Sequence, residues 1–167
     1  MLRGINRQDL FHDADDLWKI IDVLSEYVDV CGFYVHGYCL MTNHVHLLVQ
    51  QNGKPGSETL AQFMKRIGIS YVWYYNRKYE RVGSLFQDRY KSEAVETDSY
   101  FMTVLRYIHR NPVKAGIVKS PSEYIWSSYS AYTGTPSFVY TDFGNALLGG
   151  RYSEFMEDDD KVECLDI

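Results

Sequence analysis

The apolar positions change period several times along the chain, and each change marks an element. Over residues 13–30, Leu17, Ile20, Ile21, Leu24 and Val28 recur at helical spacing. They predict an amphipathic helix capped by Asp13 or Asp15 and stopped by Gly32. Residues 33–41 are rich in β-formers, and 44–50 alternate after a Thr42-Asn43 corner, which predicts an antiparallel strand pair. Residues 52–56 form a loop. From Ser57 the positions Leu60, Phe63, Met64, Ile67, Tyr71 and Tyr74 return to helical spacing, and the tyrosines at 71, 74, 75 and 79 form a core-and-rim stripe. Residues 84–95 read as a further strand. Asp98 is expected to cap a third helix through Tyr100, Val104, Leu105 and Ile108, closing at Gly116. Residues 1–7 look like the end of a strand running into a polar turn. Beyond Pro121 no strong period survives, and Trp126 with the nearby tyrosines is expected to pack back on the body.

Strand, helix, strand, strand, helix, strand is the order of an α+β, ferredoxin-like split βαβ fold. That fold is a four-stranded antiparallel sheet with helices on one face. The third helix, which carries Tyr107, is an addition. The division expected is one domain over 1–151 and an acidic, disordered tail over 152–167.

Charge changes this picture more than composition does. The net charge of −5 argues against a nucleic-acid partner until its distribution is read. Residues 152–167 hold seven acids and one base, so the preceding chain sums to +1, and residues 65–119 carry eleven Lys/Arg against five Asp/Glu. A basic middle with an acidic end fits a phosphate-binding face, and on charge alone equally a solvated helix face of mixed sign. Fifteen tyrosines suit surfaces that stack on bases, although no one of them is notable for being present. Cys31, Cys39 and Cys164 match neither a disulfide framework nor a Cys-x-x-Cys site, which fits a reducing, cytoplasmic location. No apolar run nears the ~18 residues a membrane span needs.

The candidate chemistry starts at His44-Val45-His46. Alternation puts both imidazoles on one face of a strand while Val45, Leu47 and Val49 point into the opposite layer. Such a pair is half of a metal site, or else two hydrogen-bonded histidines on a half-buried strand. A third ligand has to come from another element. The third helix offers Tyr107 and Asn111, one turn apart on one face. The Asn111 carbonyl oxygen suits Mg²⁺ or Mn²⁺, and the Tyr107 phenol could attack phosphorus to leave a covalent phosphotyrosine. Asn111-Pro112 also reads as a helix cap with Pro at the first position, and the two roles are compatible.

Four blocks carry a resemblance: Gly4-Ile-Asn-Arg7, Leu40-Met-Thr-Asn-His-Val-His-Leu-Leu48, Gly83-Ser-Leu-Phe-Gln-Asp-Arg-Tyr-Lys91 and Arg106-Tyr-Ile-His-Arg-Asn-Pro-Val-Lys-Ala-Gly116. Together with Trp126-Ser-Ser-Tyr129 they resemble the signature blocks of the single-tyrosine HUH transposases, most nearly the REP-associated tyrosine transposases of bacteria. The resemblance implies a nuclease that cuts and rejoins single-stranded DNA near hairpins, of REP or insertion-sequence-end type. His44, His46 and Asn111 would bind a divalent metal, Mg²⁺ or Mn²⁺. Tyr107 would take the 5′ phosphate and free a 3′ hydroxyl. Gly4, Asn6, Arg7, Arg89, Tyr90 and Lys91 would contact DNA, and Arg106, Arg110 and Lys114 would add phosphate contacts. Some relatives carry Gln where this chain has Asn111. Relatives also carry residues ahead of the Arg-Gly-x-Asn-Arg block, so the first strand is expected to be clipped or the recorded start to be internal.

Two readings follow. One is a metal-dependent nuclease and strand transferase, working as a monomer or homodimer; the other is a binding module for DNA or RNA hairpins that performs no chemistry. A small-molecule metallohydrolase is a third, weaker reading, since His-x-His hydrolases need more histidines and acids around the metal.

Overall fold

The computed structural model describes residues 1–157. Its strands are β1 (Leu2–Arg3), β2 (Phe33–Met41) and β3 (His44–Gln51), and its helices are α1 (Ala14–Cys31), α2 (Leu60–Lys78), α3 (Asp98–Lys114), α4 (Tyr129–Tyr132), α5 (Asp142–Leu148) and α6 (Tyr152–Glu157). The α+β class expected from the sequence is observed, with a three-stranded sheet in the order β1-β3-β2. Two compact units divide the chain. One holds Met1–Tyr34, Thr42–Val45 and Val49–Lys91; the other holds Val35–Met41, His46–Leu48 and the chain from Ser92 onward.

The expected fourth strand over 84–95 does not form. The segment does run along β1: Ile5 N–H donates to the Leu85 carbonyl (3.0 Å), Gln87 N–H to Arg3 (2.9 Å) and Lys91 N–H to Met1 (3.1 Å). The first two bonds share one register around the isolated Gly4–Phe86 bridge. The Lys91 bond is two residues out of it, so the extra residues at 88–90 interrupt the ladder. The partner is also short, because after Arg3 the chain turns at Gly4 into a helical turn over Ile5–Arg7. β-propensity without a long straight edge to pair with gives an extended segment and no strand.

In the first unit, α1 starts where Asp13 accepts the Asp16 N–H (3.1 Å) and ends at Gly32, whose φ of 73° is one that glycine alone adopts without strain. The capping box of α2 is Thr59 with Gln62; Ser57, where the periodicity suggested a start, lies in the preceding turn. Phe63, Ile67, Tyr71 and Tyr75 of α2 are buried, as are Ile20, Val23, Leu24 and Val28 of α1. The two helices are also locked by a polar cluster. Asp16, fully buried, receives Lys78 Nζ (2.9 Å), the Tyr74 hydroxyl (3.0 Å), the Tyr79 hydroxyl (2.7 Å) and the His12 N–H (2.8 Å). Burial acts to raise the Asp16 carboxyl, but these donors outweigh it and hold the group below the ordinary carboxylate range.

In the second unit, α3 starts at Thr97, which accepts the Tyr100 N–H (3.2 Å); Asp98, the expected cap, is its first residue. It runs through Asn111-Pro112, so that dipeptide is no N-terminus. The helix comes down on β2 at Gly37. A Cβ built there would stand 2.8 Å from Leu105 Cδ1 and 3.9 Å from Leu48 Cβ. The Trp126-Ser-Ser-Tyr129 block packs back as expected. Leu40 N–H donates to Trp126 (3.0 Å), Ser128 N–H to Tyr38 (3.0 Å), and Tyr38 N–H to Ser128 Oγ (2.8 Å).

Fully buried His109 of α3 joins Ser128 Oγ (2.6 Å) to the Tyr152 hydroxyl, and burial lowers its pKa to about 3, so it is neutral. Tyr152 and Met156 of α6 are buried too, so the expected disordered tail begins with an ordered helix. The acids around them hid two apolar anchors spaced four apart. The rest of that tail, 158–167, lies outside the described residues. Among those described, no helix is long and apolar enough to cross a membrane.

Two stability predictions follow from these contacts. Asp16→Asn should cost about 1.5–3 kcal/mol at neutral pH, because the buried acceptor of Lys78, the Tyr74 and Tyr79 hydroxyls and the His12 N–H loses its charge, while Asp13 still pairs with Lys78. A depressed carboxyl stabilises the fold above its unfolded pKa of about 3.9 and loses that effect as pH falls through the folded value. Urea unfolding of wild type and variant should therefore converge below about pH 4; a constant gap down to acid would rule the charge out as the cause. Gly37→Val should destabilise by about 1–3 kcal/mol through overpacking. Leu105→Ala in the same chain should return part of that loss, which a thermal melt of the double variant reads directly.

Candidate active site

Alternation along β3 sends His44 and His46 the same way, but burial does not follow the expected two layers. His46, Val45 and Leu48 are buried, and Leu47 and Val49 are half-buried, so both faces of the strand are covered. In the first unit, Arg3 of β1 stands opposite His44 in the antiparallel register. His44 Nδ1 meets Asn43 Oδ1 at 2.7 Å. That oxygen only accepts, so Nδ1 carries the proton and the imidazole lone pair lies on Nε2. Burial first, and then the Arg3 guanidinium, lower the pKa of His44 and favour the neutral ring that ligates metals.

Asn43 also donates from Nδ2 to the Arg7 carbonyl (3.3 Å), tying His44 to the Gly4–Arg7 turn. That turn is strained by design of its sequence. Asn6 (φ 49°) and Arg7 (φ 60°) sit in the left-handed region, and a Cβ on Gly4 would lie 2.3 Å from the Gln8 carbonyl oxygen. Asn6 and Arg7 are exposed. Arg89, Tyr90 and Lys91 belong to this same unit, in the extended segment beside β1, with Arg89 and Lys91 exposed and Tyr90 half-buried. Asn43 was read from the sequence only as a strand corner. Its place directly before a candidate ligand was the available signal for a side chain that orients that ligand.

In the second unit, the Tyr107 ring stands edge-on to the His46 ring at 5.4 Å and 88°. Asn111 donates from Nδ2 to the Tyr107 carbonyl (3.0 Å), which sets the amide's orientation and leaves its oxygen as the atom that can ligate. Lys114 is exposed and holds its ammonium 4.9 Å above the Tyr107 ring. The other two bases of this helix are engaged elsewhere. Arg106 is 8% exposed with its guanidinium 3.8 Å over the Phe155 ring, and Arg110 donates to the Met156 carbonyl (2.7 Å). Of the three phosphate contacts expected on α3, Lys114 alone is well exposed.

Among the described residues no group of three or more His, Cys, Asp or Glu side chains gathers where it could hold a metal ion. Two imidazoles and an amide oxygen are donor types that a divalent ion accepts, and Asn43, bonded to Nδ1 of His44, fixes the tautomer in which Nε2 is the ligating atom.

Comparison with known proteins agrees with the motif blocks. No curated protein matches the chain. Among solved structures, a REP-associated tyrosine transposase bound to a REP hairpin is similar in fold, with a TM-score of 0.68 at 16% identity over 83% of this chain and 81% of that one. A family model described as "Transposase IS200 like" matches residues 1–111, the stretch that includes both histidines, Tyr107 and Asn111. The chain belongs to the IS200-like transposase family.

Proposed function

We propose that this transposase cleaves and rejoins single-stranded DNA beside hairpins through a 5′-phosphotyrosine on Tyr107, with His44, His46 and Asn111 binding a divalent metal, Mg²⁺ or Mn²⁺. The observation that carries the reading is the Tyr107 ring edge-on to the buried His46 ring, with Asn111 bonded back to the Tyr107 carbonyl one turn away. A phenol and two candidate ligands lie together there, in a chain of transposase family. The hairpin substrate is supported by the similar fold of a transposase bound to a REP hairpin.

A divalent metal held by His44, His46 and Asn111 would supply Lewis-acid charge to a phosphate oxygen. The residues of the chain do the rest. The Tyr107 oxygen forms a bond to phosphorus as the bond from phosphorus to the 3′ oxygen breaks. The phenol proton leaves to solvent, and the departing 3′ oxygen takes one up. The edge of His46 limits the swing of the phenol ring, which keeps the attacking oxygen near one geometry. Lys114 supplies positive charge beside the ring where the phosphate has to sit. Rejoining reverses the step, with a 3′ hydroxyl attacking the phosphotyrosine.

Calorimetry of His44→Ala and His46→Ala should show Mn²⁺ affinity lost, with melting curves in metal-free buffer close to wild type for the more exposed His44. Asn111→Ala should lose less, since water replaces a neutral oxygen ligand. Unchanged Mn²⁺ affinity in the histidine variants would remove the metal from this site. Tyr107→Phe keeps the ring packed on His46 and deletes only the attacking atom. It should bind hairpin-bearing single strands as wild type does and yield no covalent adduct, whereas wild type with Mn²⁺ should yield a 5′-linked adduct and a free 3′ hydroxyl. An adduct mapped by mass spectrometry to Tyr90 or Tyr100 would overturn the assignment.

A further inference from the structure

The outer face of α2 carries an arrangement that neither the fold nor the candidate site uses. Lys65, Ile69, Trp73 and Arg77 follow one another at four-residue steps along a single ridge, and all four are exposed. Trp73 is 64% and Ile69 61% exposed, large values for such side chains in the middle of a helix that buries Phe63, Ile67, Tyr71 and Tyr75 on its other side. The Arg77 guanidinium lies 5.4 Å from the Trp73 ring centre, so the indole is held against a cation.

Charge along this helix has one sign. It bears Lys65, Arg66, Arg77 and Lys78 and no carboxylate. Arg66 is neutralised by Glu58 (2.9 and 2.8 Å from Nε), and Lys78 by Asp13 and Asp16. Among the described residues, no salt bridge takes up Lys65 or Arg77. The ridge is therefore an aromatic and aliphatic centre with an unneutralised cation at each end, about 18 Å apart along the helix axis.

We infer that this ridge is a second contact for single-stranded nucleic acid, in which a base stacks on Trp73 and Lys65 and Arg77 take backbone phosphates. A planar ring beside cations that follow a line is what a flexible strand needs, since every base has a π-face and every linkage a negative charge. Pairing of the ridge with a second copy is disfavoured by the same charges. A two-fold arrangement sets the lysine end of one copy against the arginine end of the other, with no carboxylate of α2 between them. On the function proposed above, the occupant is the single-stranded DNA flanking the hairpin. The surface itself is independent of the chemistry at Tyr107.

The test uses the full chain and three labelled probes: a blunt hairpin, the same hairpin with a single-stranded extension, and an oligothymidine. Binding is followed by anisotropy. Trp73→Ala should weaken the extended hairpin and the oligothymidine about tenfold and leave the blunt hairpin unchanged. Trp18→Ala, which removes another exposed tryptophan on α1, should change none of them. Lys65→Gln with Arg77→Gln should flatten the salt dependence of oligothymidine binding by about 1.4 in the log–log slope. Equal binding of all three probes by wild type and Trp73→Ala overturns the inference, as does a wild type that binds no single strand. A loss on the blunt hairpin as large as on the extended one overturns it too. So does a Trp73→Ala effect confined to sedimentation, which assigns the ridge to a second copy, or to vesicle binding, which assigns it to a lipid surface. Covalent capture at Tyr107 is read separately, so failure of the strand-transfer reading and failure of this one are distinct results.

Discussion

The second unit depends on a side chain that is absent. At Gly37, β2 has no Cβ to hold α3 away, and Leu105 occupies the space that one would need. That contact sets the height of the helix over the strand. Leu48 closes in from β3 beside the same gap, and His46, two residues earlier on the same face, meets the Tyr107 ring. Interiors packed to this density do not deform continuously, so a bulkier residue at 37 displaces a helix and the catalytic candidate it carries.

Polar restraint does for the first unit what close packing does for the second. One carboxamide, Asn43, accepts from His44 and donates to Arg7, so a candidate ligand and a strained, exposed basic turn are held by the same side chain. The turn adopts left-handed conformations at Asn6 and Arg7 that cost free energy, and a restraint of this kind is what such conformations require to persist. Further along, Asp16 gathers a lysine, two tyrosines and a backbone N–H, which ties the end of α2 to the start of α1. The exposed ridge of α2 lies on the helix that this cluster anchors.

Net charge describes this molecule poorly. Acidic residues are concentrated at its end, yet the first helical turns of that segment are anchored by buried Tyr152 and Met156. Phe155 and the Met156 carbonyl of the same helix engage Arg106 and Arg110. Two cations that the sequence offers to a phosphate are thus used within the protein, whereas Lys114 in the second unit and Arg7, Arg89 and Lys91 in the first are exposed.

Periodicity and local capping signals alone determined the α+β class, the bounds of α1, α2 and α3 to within a few residues, the β2–β3 hairpin and the packing back of Trp126, and the transposase family was legible as a resemblance of residue blocks. These are legible because they rest on local signals: an Asp13 cap, a Gly32 stop, alternation through His44 and His46, and residue types at fixed steps. Tertiary structure decided the rest. Residues 84–95 have the composition of a strand, but only the length and straightness of β1 determine whether a ladder can form beside them. Tyr152 and Met156 sit among acids and look solvated until His109 and its neighbours offer a place to bury them. Whether Arg106 faces a phosphate or a phenyl ring, and whether Trp73 is core or surface, depends on which face of a helix is covered. That is a property of the neighbours a helix acquires on folding, and no period along the chain encodes it.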